Sequence, residues 1–409
     1  MPDRTTLVTA LHGAGWHPAA WRVAGPTATR LSSLRHWRDL VVEQDRAGTD
    51  AVTIEDSFTA GPADATGDLD TSTVVGHLDA LLVASAVAPA TRAVGLVPTV
   101  SVTHTEPFHV ATGLQTLDHV SLGRAGWRLQ VSPSTREAAL FGRRPGGETT
   151  EHLFAEAREV AEVVGRLWDS WDDDAIIRDV TTGRFIDRDR IHGAAFIGEH
   201  VSVHGASIVP RSPQGRPPVF ALAHRADAAA FAVDAADVVL VTPRLDTDAR
   251  SGLTGRPGLE ARPALEARPA LALVRDAEKA AGSDRERPVL ADVAVLLGSS
   301  AAEAADDLAA LDAAAGASYT AISDATVLAT TVPALVEHIA ELRALGYAGV
   351  RLRPLRIPED STAIARRLVP ALVTAGLRAD VASRPTADLR TRLGLAPAVS
   401  RHATEGVPA

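Results

Sequence analysis

At 409 residues the chain can bury one large core or two average ones, and its 46% hydrophobic and 22% charged composition is that of a globular protein. A formal charge of −10 leaves no excess of Lys and Arg for a nucleic-acid backbone or an anionic membrane surface. Cysteine is absent, which excludes disulfides, thiolate metal sites and cysteine nucleophiles; no stretch reads as a secretory signal or a membrane span, so a cytoplasmic location is expected.

In chain order, the first strand is expected at 6–11, followed by helical periodicity over 31–48 and a second strand at 51–55. A helical pattern at 73–88 precedes a third strand at 93–102 and a fourth at 125–131. The next amphipathic stretch, 149–171, has apolar residues at helical spacing. Residues 172–216 then break the alternation with charge and turn signals (TTGRFIDRD, SPQGRPP), which marks an insertion containing a hairpin near 196–203. Strands five and six are expected at 218–223 and 238–242. After them comes a near-repeat, RPGLEA–RPALEA–RPALAL, starting at Arg256, Arg262 and Arg268. Its units are too short for a solenoid, and a proline in each argues against a regular helix, so 244–285 reads as a low-complexity loop. Strand seven at 289–296, helices at 301–316 and 332–346, and strand eight at 349–353 complete the pattern. A further helix follows, then a C-terminal tail from 380 to 409 with a short helix at 388–398. Eight strands alternating with helices predict a single α/β domain, a (β/α)8 TIM barrel with insertions after strands four and six.

Function in such a barrel gathers at the C-terminal ends of the strands. Strand one ends in His12, Trp16, His17 and Trp21; strand two ends in Asp56 and Ser57. Strand three supplies Thr99, Ser101, Thr103, His104 and His109, strand four Gln130, Ser132 and Ser134, and strand five His224 and Arg225. A metal site is disfavoured because no H-x-H, H-E-x-x-H or paired-carboxylate spacing is present. There is no G-x-S-x-G elbow for a serine hydrolase, and Glu55 and Asp56, as strand neighbours, point to opposite faces. Hydroxyls, one carboxylate and an aromatic mouth suit a flat organic cofactor.

At these residues the chain resembles the bacterial luciferase-like flavin-dependent monooxygenases, in the branch with nitrilotriacetate, alkane and dibenzothiophene-sulfone monooxygenases. The resemblance runs from about residue 6 to 398 and is carried by GAGWHPAAWR (13–22), TEPFHVATGLQTLDHVSLGRAGW (105–127) and LWDSWDDDAIIRDVTTGRFID (167–187), with SPQGRPP (212–218) and LRTRLGL (389–395) in support. It implies a barrel that binds reduced FMN, delivered by a separate NAD(P)H:flavin reductase, and uses O2 to oxygenate a small organic substrate, in a homodimer. By matching position, Asp56, Thr99 and Ser101 line the flavin ring and Ser132 stands near the phosphoribityl chain. Trp16 and His17 are the implied substrate-facing residues; with His104, from the end of strand three, they are the candidate catalytic residues, and no metal is expected.

Several positions depart from the family pattern. Arg128 stands where the family has asparagine, and Val131 departs from its Thr-Ser-His ending. Leu153 and Phe154 replace an Arg-Tyr pair whose tyrosine reaches the phosphate. His224, Arg225 and Ala226 replace a Gly-Ser-Ser phosphate cradle. Either His224 and Arg225 bind phosphate through their side chains, or the phosphate site, and with it the cofactor, is lost. Three readings follow from the sequence: an active flavin monooxygenase, a non-catalytic barrel such as a supporting subunit, and a deazaflavin-dependent oxidoreductase of the same fold.

Overall fold

The computed structural model describes residues 4–62, 69–250, 263–380 and 387–403. The eight expected strands all form: β1 Thr6–Leu11, β2 Ala51–Ile54, β3 Gly95–Ser101, β4 Trp127–Gln130, β5 Val219–Leu222, β6 Val238–Val241, β7 Val289–Gly298 and, after one strand the periodicity did not predict (β8, Thr326–Thr331), β9 Gly349–Pro354. They run parallel in the order β6-β5-β4-β3-β2-β1-β9-β7, and the pairing of Val239 with Val289 joins β6 to β7 and closes the barrel. β7 is longer than its neighbours. Its first residues pair with β6, and its upper half, Val293–Gly298, pairs with β8, which raises the wall on that side.

β1 and β9 join the two ends of the chain, Thr6 lying opposite Gly349. A Cβ at Gly349 would collide with the Thr6 carbonyl, so the seam needs glycine there. Helices wrap the outside. Among them are α1 Leu34–Ala47, α2 Ala80–Val87, α3 Pro107–Ser121, α4 Thr135–Phe141, α5 Thr150–Trp168, α6 Ala226–Ala235, α7 Ala267–Ala280, α8 Ala301–Ala315 and α9 Val332–Ala344. Helix α1 shows why: Trp37, Leu40, Val41 and Gln44 recur at helical spacing and are buried, and Gly48 ends the helix at φ 89°.

At the base of the barrel, Val8, Ala51, Val97, Phe220, Val238, Leu240 and Leu290 form one buried cluster with Leu389, Leu393 and Leu395. The Leu389 side chain fits because Gly95 and Gly126 have none of their own to fill its place. The segment expected as a C-terminal tail is therefore, over its described residues 387–403, in part a plug with a short helix at Leu389–Arg392. Residues 404–409 lie outside the described chain.

The expected insertion at 172–216 contains two antiparallel hairpins, Ile176–Asp179 with Arg184–Ile186 and Phe196–Ile197 with Ser202–Val203. The expected loop at 244–285 needs correction, because α7 occupies Ala267–Ala280. The last unit of the near-repeat opens that helix, and its Pro269 falls in the first turn, where a missing N–H costs nothing. Residues 251–262, with most of the first two units, lie outside the described chain. Among the described residues no helix is long and apolar enough to cross a membrane.

Candidate active site

The C-terminal mouth of the barrel has two unlike parts. The first is a charged cluster on the barrel axis. Glu55, just past β2, accepts hydrogen bonds from Arg128 Nη1 on β4 (2.8 Å) and from Arg351 Nη2 on β9. Arg351 also donates to Asp292 on β7 (2.8 Å) and, through Nε, to Thr53 on β2 (3.0 Å). Asp292 takes two further bonds from Arg353, at 3.0 and 2.6 Å, and the far side of Arg353 reaches Asp324 at 2.6 Å. Arg351 and Arg353 alternate along one strand, so both point inward. Burial opposes charge on Glu55 and Asp292, yet the surrounding guanidinium groups hold both carboxyls below the ordinary carboxylate range. Trp16 covers the cluster, its ring 4.5 Å from the Arg353 guanidinium and its Nε1–H bonded to the Ala10 carbonyl at 2.9 Å.

The second part is a neutral ledge on the β3–β4 side. Ser101 and Ser132 share a 2.7 Å hydrogen bond, the Ser132 N–H donates to Thr103 Oγ1 at 2.9 Å, and Thr99 accepts from Arg128 at 3.1 Å. Beside this ledge, off the axis towards α2 and α3, lies a cavity of about 240 Å³. Asp56, Phe58, Thr99, Ser101 and His109 are among its lining residues. Asp56 accepts the N–H groups of Ala80 (2.7 Å) and Ser57 (2.8 Å) and lies 3.3 Å from His77. Burial nevertheless outweighs these contacts and pushes its carboxyl above the ordinary range.

Phe58 leads from the cavity to His104. The imidazole stacks on Phe141 at 4.8 Å and 18°, and Phe58 meets both rings edge-on. His104 is a non-glycine residue at φ 108°, a conformation that costs free energy, and neither of its buried ring nitrogens has a hydrogen-bond partner among the described residues. Burial lowers its pKa, so the ring is neutral at pH 7.

The expected site residues therefore divide. Asp56, Thr99, Ser101 and Ser132 converge, with His104 reached through Phe58. Trp16 and His17 are not among the residues that line this cavity. His17 Nδ1 accepts the Ala19 N–H at 3.1 Å, which leaves the proton on Nε2 to meet Asp312 at 3.0 Å. That fully buried ring fastens the loop after β1 to α8. Phe154, where the resemblance implies a tyrosine at the cofactor, stacks on Phe231 at 4.8 Å and 9° within the core, because a phenyl ring without a hydroxyl gains only from apolar contact. His224 and Arg225 are exposed at the start of α6, and the Arg225 guanidinium clasps Asp227 at 2.7 and 3.1 Å. The charged cluster itself was not anticipated. An Arg-Leu-Arg run inside a strand flanked by apolar residues was its available signal.

Tested against FMN, the ring end fits, since a cavity edged by the carboxylates of Asp56 and Asp79 and by the hydroxyls of Ser57, Thr99, Ser101 and Thr105 receives a flat heterocycle with a polar rim. The phosphate end does not fit: the first turn of α5 offers Leu153 and Phe154 to the core, and the first turn of α6 is met by a carboxylate. Among the described residues, no group of three or more His, Asp or Glu could hold a metal ion.

The sequence model of the luciferase-like monooxygenase family matches residues 14–347. N-acetyl-S-(2-succino)cysteine monooxygenase of Bacillus subtilis (strain 168) is 33% identical over 234 residues, 56% of this chain and 50% of that protein. Nitrilotriacetate monooxygenase component A of Aminobacter aminovorans is 31% identical over 244 residues, 58% and 54% of the two chains. The chain thus spans about half the length of these curated relatives. Among solved structures, long-chain alkane monooxygenase (LadA) superposes with a TM-score of 0.81 at 20% identity, covering 96% of each chain. Riboflavin lyase (RcaE), solved with modified FMN and substrate riboflavin, superposes at 0.78 with 20% identity and the same coverage. At these identities the structural likeness speaks for the fold.

Proposed function

This chain belongs to the luciferase-like monooxygenase family, and from that premise we propose that it is a flavin-dependent monooxygenase acting on a small organic substrate with O2 and reduced flavin from a separate reductase. The observation that carries this reading is the cavity at the C-terminal rim lined together by Asp56, Thr99 and Ser101. Barrel enzymes place their chemistry at this rim, and these three side chains come from two adjacent strands. A bound flavin supplies the redox chemistry with oxygen. The chain's own part is to bind and orient the ring through Asp56 and the two hydroxyls, and to exclude water with Phe58 and Phe141. His104, neutral and with both nitrogens unpaired, can hold or pass a proton at the aromatic wall.

A second reading, a barrel without catalysis, draws on the charged cluster, which fills the axis of the mouth and leaves the cavity to one side. Titration of the purified protein with flavin, followed by fluorescence, separates the two. Micromolar binding is expected, and Thr99→Val should weaken it about tenfold through the lost hydrogen bond. Absence of binding up to about 1 mM would favour the barrel without catalysis.

A further inference from the structure

The two ends of the expected cofactor site disagree, and we infer from this disagreement that the protein selects a flavin without a phosphate, riboflavin rather than FMN. The inference rests on the flavin reading above. At the ring end, Asp56, Thr99 and Ser101 still share a cavity, so the part of the ligand that does the chemistry keeps its place. At the other end, each of the two elements expected to hold a phosphate has become unsuited to it.

Helix α5 begins at Thr150, and the two positions where a phosphate contact is expected carry Leu153, 1% exposed, and Phe154, flat against Phe231. Neither offers a donor, and both are held by apolar packing that would have to be undone to move them. Helix α6 begins at Ala226. Its first-turn N–H of Ala228 is taken by Asp227 Oδ1 at 2.8 Å, and the two Asp227 oxygens accept from Arg225 Nη2 and Nε. Against the cost of desolvation, those bonds keep the Asp227 carboxyl below its ordinary range, so it is ionised at neutral pH. One N–H of the helix terminus and its adjacent cation, two features that attract a phosphate, are thus already engaged by a carboxylate. A phosphate group arriving there meets a like charge and a neutralised arginine. The terminal hydroxyl of riboflavin carries no charge and meets no such repulsion. Since the phosphate is remote from the ring, its loss leaves the redox chemistry of the flavin available.

The test compares riboflavin, FMN and lumiflavin, which lacks the ribityl chain, by fluorescence quenching with the full chain at low ionic strength. Riboflavin is expected to bind at least about tenfold more tightly than FMN, with the gap narrowing as salt screens the repulsion. Lumiflavin is expected to retain binding through the ring end. Asp227→Ser frees the helix terminus and Arg225, and should raise FMN affinity about tenfold while leaving riboflavin unchanged. FMN binding as tight as riboflavin in the wild-type protein, or a preference that Asp227→Ser leaves untouched, overturns the inference while the flavin reading stands. No binding of any of the three up to about 1 mM overturns both.

Discussion

Glu55 and Asp56 are neighbours in the chain and inhabit opposite worlds. Glu55 points into the barrel among Arg128 and Arg351, and its carboxyl is held below the ordinary range. Asp56 turns towards the rim cavity, where burial pushes its carboxyl up. The period-two alternation of a strand separates them, and β2 is the fence between two regions with different tasks. On the Glu55 side, charge is paired, covered by Trp16 and fixed. On the Asp56 side, two carboxylates, Asp56 and Asp79, stand among hydroxyls and apolar side chains, and space remains. The lesson is that a dense charge cluster at a barrel mouth need not be the site; here the space lies beside it.

The sharpest way to break this contrast is Arg351→Met. It takes a partner from Glu55 and from Asp292 at once, and breaking a buried ion pair on one side costs about 3–5 kcal/mol. Urea unfolding should show a loss of that size, and a loss below about 1 kcal/mol would mean the cluster does not hold the barrel together.

Acid should act on the two regions with opposite signs. The lowered carboxyls of Glu55 and Asp292 contribute stability that is complete above the ordinary carboxylate pKa, near pH 4, and is lost as pH falls through their folded values. Asp56, raised, opposes folding while ionised and relieves that penalty as it protonates. The urea midpoint should therefore drop on acidification less steeply in Glu55→Gln than in the wild type, and more steeply in Asp56→Asn. The same direction of change in both variants would erase the distinction between the regions.

The smallest effect concerns His104. Alanine is ordinarily the more stable residue relative to glycine, but at φ 108° the order should invert, with His104→Gly more stable than His104→Ala by about 1 kcal/mol. Thermal unfolding of the pair reads this directly, and the usual order would show that the backbone there relaxes without strain.

The barrel was legible because its signals are local: each of its eight strands is a short apolar run between helical patterns. β8, reading TVLATT, was not, because its pairing depends on how far β7 extends. At the rim, the places of Asp56, Thr99, Ser101 and Ser132 at strand ends were legible in the sequence. The ion pairs were not, since Glu55 and Arg351 are 296 residues apart in sequence. The contact of His17 was hidden for a related reason. Its position resembles that of a substrate contact, but Asp312, which ties it down, lies 295 residues further on. Phe154 lost its role with one missing oxygen, a change visible in the sequence whose consequence, the stack on Phe231, was not.

The seam between β1 and β9 bears on how the protein is made. On the edge away from β2, Thr6–Thr9 pair with Gly349–Leu352, so that edge of the first strand stays bare until residue 352 has left the ribosome. At roughly 5–20 residues per second, that interval lasts on the order of tens of seconds. An open parallel sheet with bare backbone edges is a substrate for misassembly throughout that time, and the plug of Leu389, Leu393 and Leu395 that seals its base arrives later still. The nascent chain is thus most exposed to aggregation just before the barrel closes.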